Sequence, residues 1–340
     1  MRNVELKTRT QKDIDEQVAK ILRALGNPPP PLRLADVRAL LKLDLRYYSS
    51  SDTGFLQEKI HQLRIGTRQV IARPTLLLDA VKKLSLKALL LPDQKRILID
   101  TDEPPLKHRW NEAHEVGHGI IPWHKAYLHG DSQRTLKPVC HYAIEGEANY
   151  AAGRLLFLQD RFRAELLASP VDMDAIKTLK KTYGNTMTTT LWRAVEHLPV
   201  PAVGIVSVHP LVLGDNFSWL TPCRYFIRSA AFAQQFSNVT ELDVFNSMRG
   251  YCSWKRRGPL GEGEVIFADA NGDEHVFYFE SFNNTHDTLT LGTYRKKKAG
   301  AVLVSAYHAA HAHLRATAAP LVHRRFPCAR VQEHQRVGGT

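Results

Sequence analysis

The sequence has few cysteines, and none of them lies near another. The four, Cys140, Cys223, Cys252 and Cys328, form no C-x-x-C pair. Cysteines this sparse and scattered argue against a disulfide framework and against a cysteine-ligated metal site. We interpret them as small buried hydrophobic residues, in preference to redox sensors at Cys223 or Cys252.

Long apolar runs are also absent. No run of about 18 apolar residues occurs, so the sequence predicts no membrane span. The segment from Met1 to Glu16 is polar and lacks the apolar core of a signal peptide. The 340 residues are 44% hydrophobic and 24% charged, a core-forming composition long enough for two or three domains. We therefore expect a cytoplasmic protein.

Acidic residues are nearly missing from the C-terminal end. Residues 295–340 contain nine Lys or Arg against one acid, Glu333, which gives +8 of the formal net charge of +12. The rest of the chain is only mildly basic, so the high net charge is weak evidence for a DNA-binding face. Residues 299–340 are rich in Ala, His and Arg, and we expect a basic, mostly disordered tail there.

One motif in the sequence is chemically specific. Residues 109–118 read Arg-Trp-Asn-Glu-Ala-His-Glu-Val-Gly-His and contain H-E-x-x-H. Four residues of an α-helix turn through about 400°, so His114 and His118 share one face, one turn apart. Two imidazoles placed in this way bind Zn²⁺, and Glu115 beside them supplies a carboxylate that takes a proton from metal-bound water. The motif predicts metallopeptidase chemistry.

A catalytic zinc site needs a third protein ligand, and two residues compete for that place. Glu145 lies on a second predicted helix, and Asn149, one turn further on, is placed to orient a histidine of the first helix. His124 follows His118 by six residues, the spacing of H-E-x-x-H-x-x-G-x-x-H. The glycine of that longer motif would fall at Ile121, and a β-branched residue is poor where φ must be positive. We therefore favour Glu145. Glu147, about 200° further round the helix, faces elsewhere.

A β-hairpin is predicted just before the first motif. Ala88–Leu91 and Arg96–Asp100 are short apolar runs on either side of a turn at residues 92–95. Adding a strand to a sheet edge is a common way to hold an extended peptide. The second strand, with Arg96, Ile97, Leu98 and Ile99, is therefore a candidate substrate-binding edge.

Apolar periodicity predicts the elements around this motif. Helices fit residues 13–25, 34–41, 172–183 and 188–196, and a strand fits residues 43–48. The pair 172–183 and 188–196 fits a packing hairpin better than a DNA-reading helix-turn-helix, because it carries few exposed basic residues. After Pro199-Val200-Pro201, strands fit 203–208, 224–227, 264–268, 275–279 and 288–291, and helices fit 232–236 and 241–248. Asn271-Gly272 predicts a hairpin turn.

These elements together predict an α+β fold. A zincin-like metallopeptidase domain, mostly helical with a small sheet, comes first. A helix-turn-helix-like pair, a small α+β domain for sensing or substrate recognition, and the basic tail follow it. The predicted boundaries are 1–170, 171–200, 201–298 and 299–340.

The paired motifs resemble those of the ImmA/IrrE-type metallopeptidases. Residues 109–118 resemble the family's R-F-x-x-A-H-E-x-G-H, and residues 145–156 resemble its E-x-x-A-N-x-F-A-A-x-L-L helix. The resemblance covers residues 13–200. Two departures concern packing more than metal binding: the aromatic is shifted to Tyr150, and Phe157-Leu158 stands where Met-Pro often closes the motif.

The resemblance implies a cytoplasmic zinc peptidase with a protein substrate, a helix-turn-helix repressor whose cleavage turns on phage, mobile-element or DNA-damage genes. A C-terminal sensor domain is implied by analogy alone. Histidine and carboxylate ligands also suit Mn²⁺ or Fe²⁺. Two rival hypotheses stand beside this one. In the first, a non-enzymatic regulator uses the zincin fold to bind a partner. In the second, the helical pair and the tail bind DNA.

Overall fold

The computed structural model describes residues 6–48, 88–91, 95–101, 105–124, 138–214 and 217–298. The predicted tail at 299–340 and the hairpin turn residues 92–94 lie outside the described residues. Helices together with two sheets confirm the predicted α+β class. No helix in the described ranges is both long and apolar enough to cross a membrane.

The N-terminal part is mostly helical, with one small sheet. In chain order its elements are α1 (Thr8–Ala24), α2 (Leu34–Leu41), β1 (Asp44–Tyr48), β2 (Ala88–Leu91), β3 (Arg96–Asp100), α3 (Pro105–Ile120), α4 (Pro138–Leu156), α5 (Asp160–Leu167), α6 (Met173–Tyr183) and α7 (Met187–His197). The predicted helices and the predicted hairpin are confirmed, although α1 begins at Thr8 instead of residue 13. The sequence does not predict α5.

The small sheet has the strand order β1-β3-β2. β1 runs parallel to β3, with Asp44 opposite Arg96, and β2 runs antiparallel to it. The predicted substrate-binding edge at Arg96, Ile97, Leu98 and Ile99 is therefore wrong, because β3 is hydrogen-bonded to a neighbour on both sides. The cause was visible in its composition. Three consecutive apolar residues, all buried here, are typical of a central strand and not of an edge.

α3 and α4 approach each other closely at Gly117. A Cβ atom added at Gly117 would lie 2.8 Å from the carbonyl oxygen of Ala148 and 3.3 Å from the Cβ of Ala151. Ala113 and Val116 on the same part of α3 are fully buried. Small side chains thus set the spacing between the two motif-bearing helices.

The C-terminal part is a five-stranded antiparallel sheet with two helices. Its elements are β4 (Ala202–Ser207), β5 (Cys223–Arg228), α8 (Ala230–Gln235), α9 (Glu241–Met248), β6 (Gly258–Ala268), β7 (Glu274–Asn283) and β8 (Thr288–Lys297). The strand order is β5-β4-β8-β7-β6, and every pair is antiparallel. Asn271-Gly272 lies in the turn between β6 and β7, with Gly272 at φ 87°, so this hairpin is confirmed.

Both faces of this sheet are covered near β4. Ala202 and Val206 belong to the apolar cluster of the helical part, whereas Val203 and Ile205 belong to a second cluster with α8 and α9. α7 packs against β4, β5 and β8. The result is a helix, sheet and helix sandwich. The division of the chain into domains remains a prediction.

The helix pair α6 and α7 forms a packing hairpin. Gly184 ends α6 in the left-handed conformation, at φ 64°. Every residue of α7 is buried or half-buried. A DNA-reading helix needs an exposed face to enter the major groove, so the burial of α7 argues against a groove-reading role.

Candidate metal centre

Three side chains from two helices converge where the sequence places a metal. His114 and His118 project from α3, and their Nε2 atoms are 3.2 Å apart. Glu145 projects from α4, with Oε2 3.2 Å from Nε2 of His114 and Oε1 3.6 Å from Nε2 of His118. Within the described ranges this is the cluster whose ligand atoms fall within 4.8 Å of one another.

These separations fit a tetrahedral metal ion. Bonds of about 2.0–2.1 Å at tetrahedral angles place neighbouring ligand atoms about 3.3 Å apart. The observed distances of 3.2, 3.2 and 3.6 Å lie close to this value. Two imidazole nitrogens and one carboxylate are also the ligand set of many zinc peptidases. The three described residues therefore fit a zinc-type ion.

Asn149 determines which nitrogen of His114 faces this cluster. Nδ1 of His114 lies 3.1 Å from Oδ1 of Asn149, one turn beyond Glu145 on α4. An amide oxygen only accepts hydrogen bonds, so the ring proton belongs on Nδ1. The lone pair of Nε2 then faces Glu145, as metal binding requires.

The local field favours a cation at His114. Burial acts to lower the pKa of this imidazole, but the hydrogen bond to Glu145 and the negative charges of Glu115 and Glu145 outweigh burial and raise the pKa. The same negative charges would stabilise a divalent metal bound at this position.

Glu115 is the carboxylate next to the cluster. It is only 5% exposed, and its charge contributes to the raised pKa of His114. It lies about 100° round α3 from His114, so it borders the ligand face without being part of it. Such a buried carboxylate is well placed to accept a proton from water in the site.

His124 lies behind His118 and does not join the three ligands. Its Nδ1 is 3.0 Å from Nδ1 of His118, the nitrogen that faces away from Glu145. Its Nε2 is 3.0 Å from Oε2 of Glu147, which also accepts a 2.6 Å hydrogen bond from the indole of Trp123. The three-histidine alternative is not the arrangement observed.

Glu147 is held in its ionised form by these donors. Burial acts to raise its pKa, but the hydrogen bonds from His124 and Trp123 outweigh burial, and the pKa is lowered. The sequence predicts that Glu147 faces away from Glu145, and the two side chains do contact different residues. The sequence does not predict the contact between Glu147 and His124. That contact depends on the chain turning back after Pro122, where the N–H of His124 bonds to the carbonyl of Ile121 at 3.1 Å.

Other motif residues hold α3 in position. Arg109 donates to Oδ1 of Asn185 at 3.3 Å and to the carbonyl of Tyr183 at 3.4 Å, at the end of α6. Glu112 forms a 2.6 Å ion pair with Arg38 of α2, and both side chains are mostly buried. These residues therefore anchor the motif helix and do not face the cluster.

Cys223 and Cys252 are not reactive thiols. Burial, with a smaller contribution from the charge of Glu241, raises the pKa of Cys223 to about 12. Burial also raises the pKa of Cys252. Redox sensing needs an accessible thiolate, so neither residue suits that role.

Comparison with known families confirms the resemblance. Residues 72–194 match the family described as IrrE N-terminal-like domain (Peptidase_M78), and both motifs lie in that range. None of the curated proteins matches the chain. Among solved structures, a Mycobacterium tuberculosis transcriptional regulator is similar at 14% identity and a TM-score of 0.47, over 92% of this chain and 96% of that one. That similarity is too low to carry an argument.

Proposed function

We propose that this chain, which carries a peptidase domain of the ImmA/IrrE type, is a zinc-dependent endopeptidase that cleaves a helix-turn-helix transcriptional repressor. The observation that carries the proposal is the meeting of His114, His118 and Glu145 at metal-ligand separations beside buried Glu115. The repressor as substrate, and the release of its target genes, rest on the family resemblance.

In this mechanism His114, His118 and Glu145 hold the ion, and Asn149 keeps the ring of His114 in the binding orientation. The ion, when bound, polarises the scissile carbonyl and makes water a stronger acid. Glu115 takes the proton from the attacking water. It then gives that proton to the nitrogen of the leaving amine, which completes hydrolysis of the peptide bond.

The outer edge of β2 is the best candidate for holding the substrate. Within the described residues β2 pairs with β3 on one side only, and it packs against α3, which bears the two histidines. An extended peptide added to this edge would lie on the strand that packs against the histidine-bearing helix. This proposal replaces the edge first expected at Arg96–Ile99.

The decisive test replaces the proposed base. Glu115→Gln keeps the size of the side chain but cannot accept the proton, so cleavage should fall by about 10²–10⁴-fold while bound zinc is retained. The full-length chain is co-expressed with the helix-turn-helix protein encoded nearest to it, and fragments are identified by mass spectrometry. Metal analysis of the same preparations distinguishes zinc from manganese or iron.

Glu112→Gln is a matched control on the same helix. It breaks the ion pair with Arg38 and so perturbs α3 without touching the metal cluster. Cleavage should persist in this variant. Cleavage by Glu115→Gln at the wild-type rate would show that Glu115 is not the base.

The non-enzymatic alternative makes a different prediction. A structural zinc site usually has four protein ligands, whereas three meet within the part of the chain that the structure describes. If the wild-type chain binds zinc and the repressor but releases no fragments, the regulator hypothesis is correct and the peptidase proposal fails.

A further inference from the structure

We infer that His124 and Glu147 are positioning residues that fix the metal-binding nitrogen of His118. The inference rests on the proposed metal site. His118 presents two nitrogens to two different partners: Nε2 faces His114 and Glu145, and Nδ1 faces His124 at 3.0 Å. Only one of the two nitrogens carries the proton in the neutral ring. Metal binding requires that proton to sit on Nδ1.

The direction of the hydrogen bonds follows from Glu147. Its carboxylate only accepts, so the Nε2 of His124, 3.0 Å away, must donate. When the ring of His124 carries this one proton, its Nδ1 is bare and accepts from Nδ1–H of His118. The lone pair of His118 Nε2 is thereby left for the metal.

The opposite direction would block the site. A proton on Nε2 of His118 would point towards Nε2 of His114, only 3.2 Å away, and towards Glu145. With a single proton on the ring of His124, the acceptor at Glu147 disfavours this arrangement, because His124 would have to donate from Nδ1 and leave Nε2 bare against the carboxylate.

Water cannot easily substitute for His124 in this role. His118 is 5% exposed and His124 is fully buried. The indole N–H of Trp123 also donates to Oε2 of Glu147, at 2.6 Å, and so helps to hold this carboxylate in place. The acceptor for His118 is therefore built from side chains and held in place.

α4 supports both histidines by different routes. Asn149 accepts directly from His114 at 3.1 Å. Glu147 is on another side of the helix from Glu145 and is linked to His118 through His124. One helix thus carries a ligand together with the supports of the other two ligands, and its position determines the whole site.

The test measures zinc affinity by competition with a chromophoric chelator, using the full chain. His124→Phe removes the acceptor and should weaken zinc binding by about 10–100-fold. His124→Gln supplies an amide oxygen, as Asn149 does for His114, and should restore most of the affinity. If His124 served only for packing, His124→Gln would not bind zinc more tightly than His124→Phe.

A second readout is the proton position on His118. In metal-free protein, ¹⁵N shifts of the ring, assigned with His118→Gln, should show the proton on Nδ1. Glu147→Gln is nearly isosteric, and its amide can donate to His124. It should shift part of the His118 population towards Nε2–H and weaken zinc binding. If His124→Phe does not fold, the Glu147→Gln result decides.

The chain also offers a control pair. His275 of β7 lies 3.1 Å from Asp269 in the turn between β6 and β7, and both side chains are about 4% exposed. Asp269→Asn therefore perturbs a buried histidine–carboxylate pair that does not contact the metal cluster, and zinc affinity should not change.

These experiments distinguish failure of the proposed metal site from failure of the positioning role. If wild-type protein binds no zinc, the proposed metal site is wrong, and the tautomer of His118 still tests the hydrogen-bond direction. If wild-type protein binds zinc and His124→Phe, or Glu147→Gln in its place, binds it equally well, the positioning role is wrong.

Discussion

Substituting Gly117 with alanine should damage the metal site more than the fold. The added Cβ would lie 2.8 Å from the carbonyl oxygen of Ala148, whereas ordinary contact begins at 3.4 Å. This neighbour is backbone in the middle of α4 and cannot rotate away. The two helices must therefore separate locally by about 0.6 Å, the difference between these two distances.

The expected magnitudes differ for stability and for metal binding. Overpacking costs about 1–3 kcal/mol, and replacing a helical glycine by alanine returns about 1 kcal/mol, so the net loss of stability is at most about 2 kcal/mol. Metal–ligand distances tolerate only about 0.2 Å. Because Glu145 lies on one helix and both histidines lie on the other, we expect zinc affinity to fall at least about tenfold.

Two measurements check this expectation: zinc competition titration, and urea unfolding in the presence of a chelator. Gly153→Ala is the matched control on α4, since the atoms nearest to its added Cβ belong to the guanidinium end of the Arg193 side chain and not to backbone. This control should bind zinc as the wild type does. A Gly117→Ala protein whose zinc Kd stays within about twofold of wild type would refute the reasoning from helix spacing.

Two further predictions concern His197 and Asn149. Burial, with the charges of Arg193 and Arg154, lowers the pKa of His197 from 6.5 to about 4. The unfolded chain therefore binds the extra proton first, so stability is full above pH 6.5 and is lost as the pH falls towards 4, by at most about 2 kcal/mol at pH 5. Urea unfolding at pH 7.5 and 5.0 should show a larger loss in the wild type than in His197→Gln, and equal losses would contradict this. Asn149→Leu removes the acceptor of His114 and should weaken zinc binding about 10–100-fold, whereas Asn149→Asp should not. Equal zinc affinities of the two variants would count against an orienting role.

The local part of the candidate site could be predicted from the sequence. Helical spacing places His114 and His118 on one face, and the same rule places Glu145 and Asn149 one turn apart on α4. The contact between His124 and Glu147 could not be predicted. This contact depends on how the chain turns after Pro122, and helical or strand periodicity gives no information about a turn.

The strands were predicted less completely for physical reasons. β6 begins at Gly258, well before residue 264, because a bulge between Pro259 and Gly261 interrupts the alternation that a sequence pattern needs. The hairpin pattern alone predicts an edge at β3, because the parallel pairing of β3 with β1 joins distant segments of the chain. α5 follows two left-handed residues, Leu158 and Gln159, neither of a type that favours that conformation.

The sandwich of α7, the sheet and α8–α9 has a consequence for how the protein unfolds. The apolar cluster that includes the buried faces of α3 and α4 continues without a break through α7 to Ala202 and Val206. Removing the sheet would expose one side of α7, and that helix also packs against α6. The helical part and the sheet should therefore melt in a single cooperative transition, so a destabilising change in either would lower the population of molecules with an intact metal-ligand cluster.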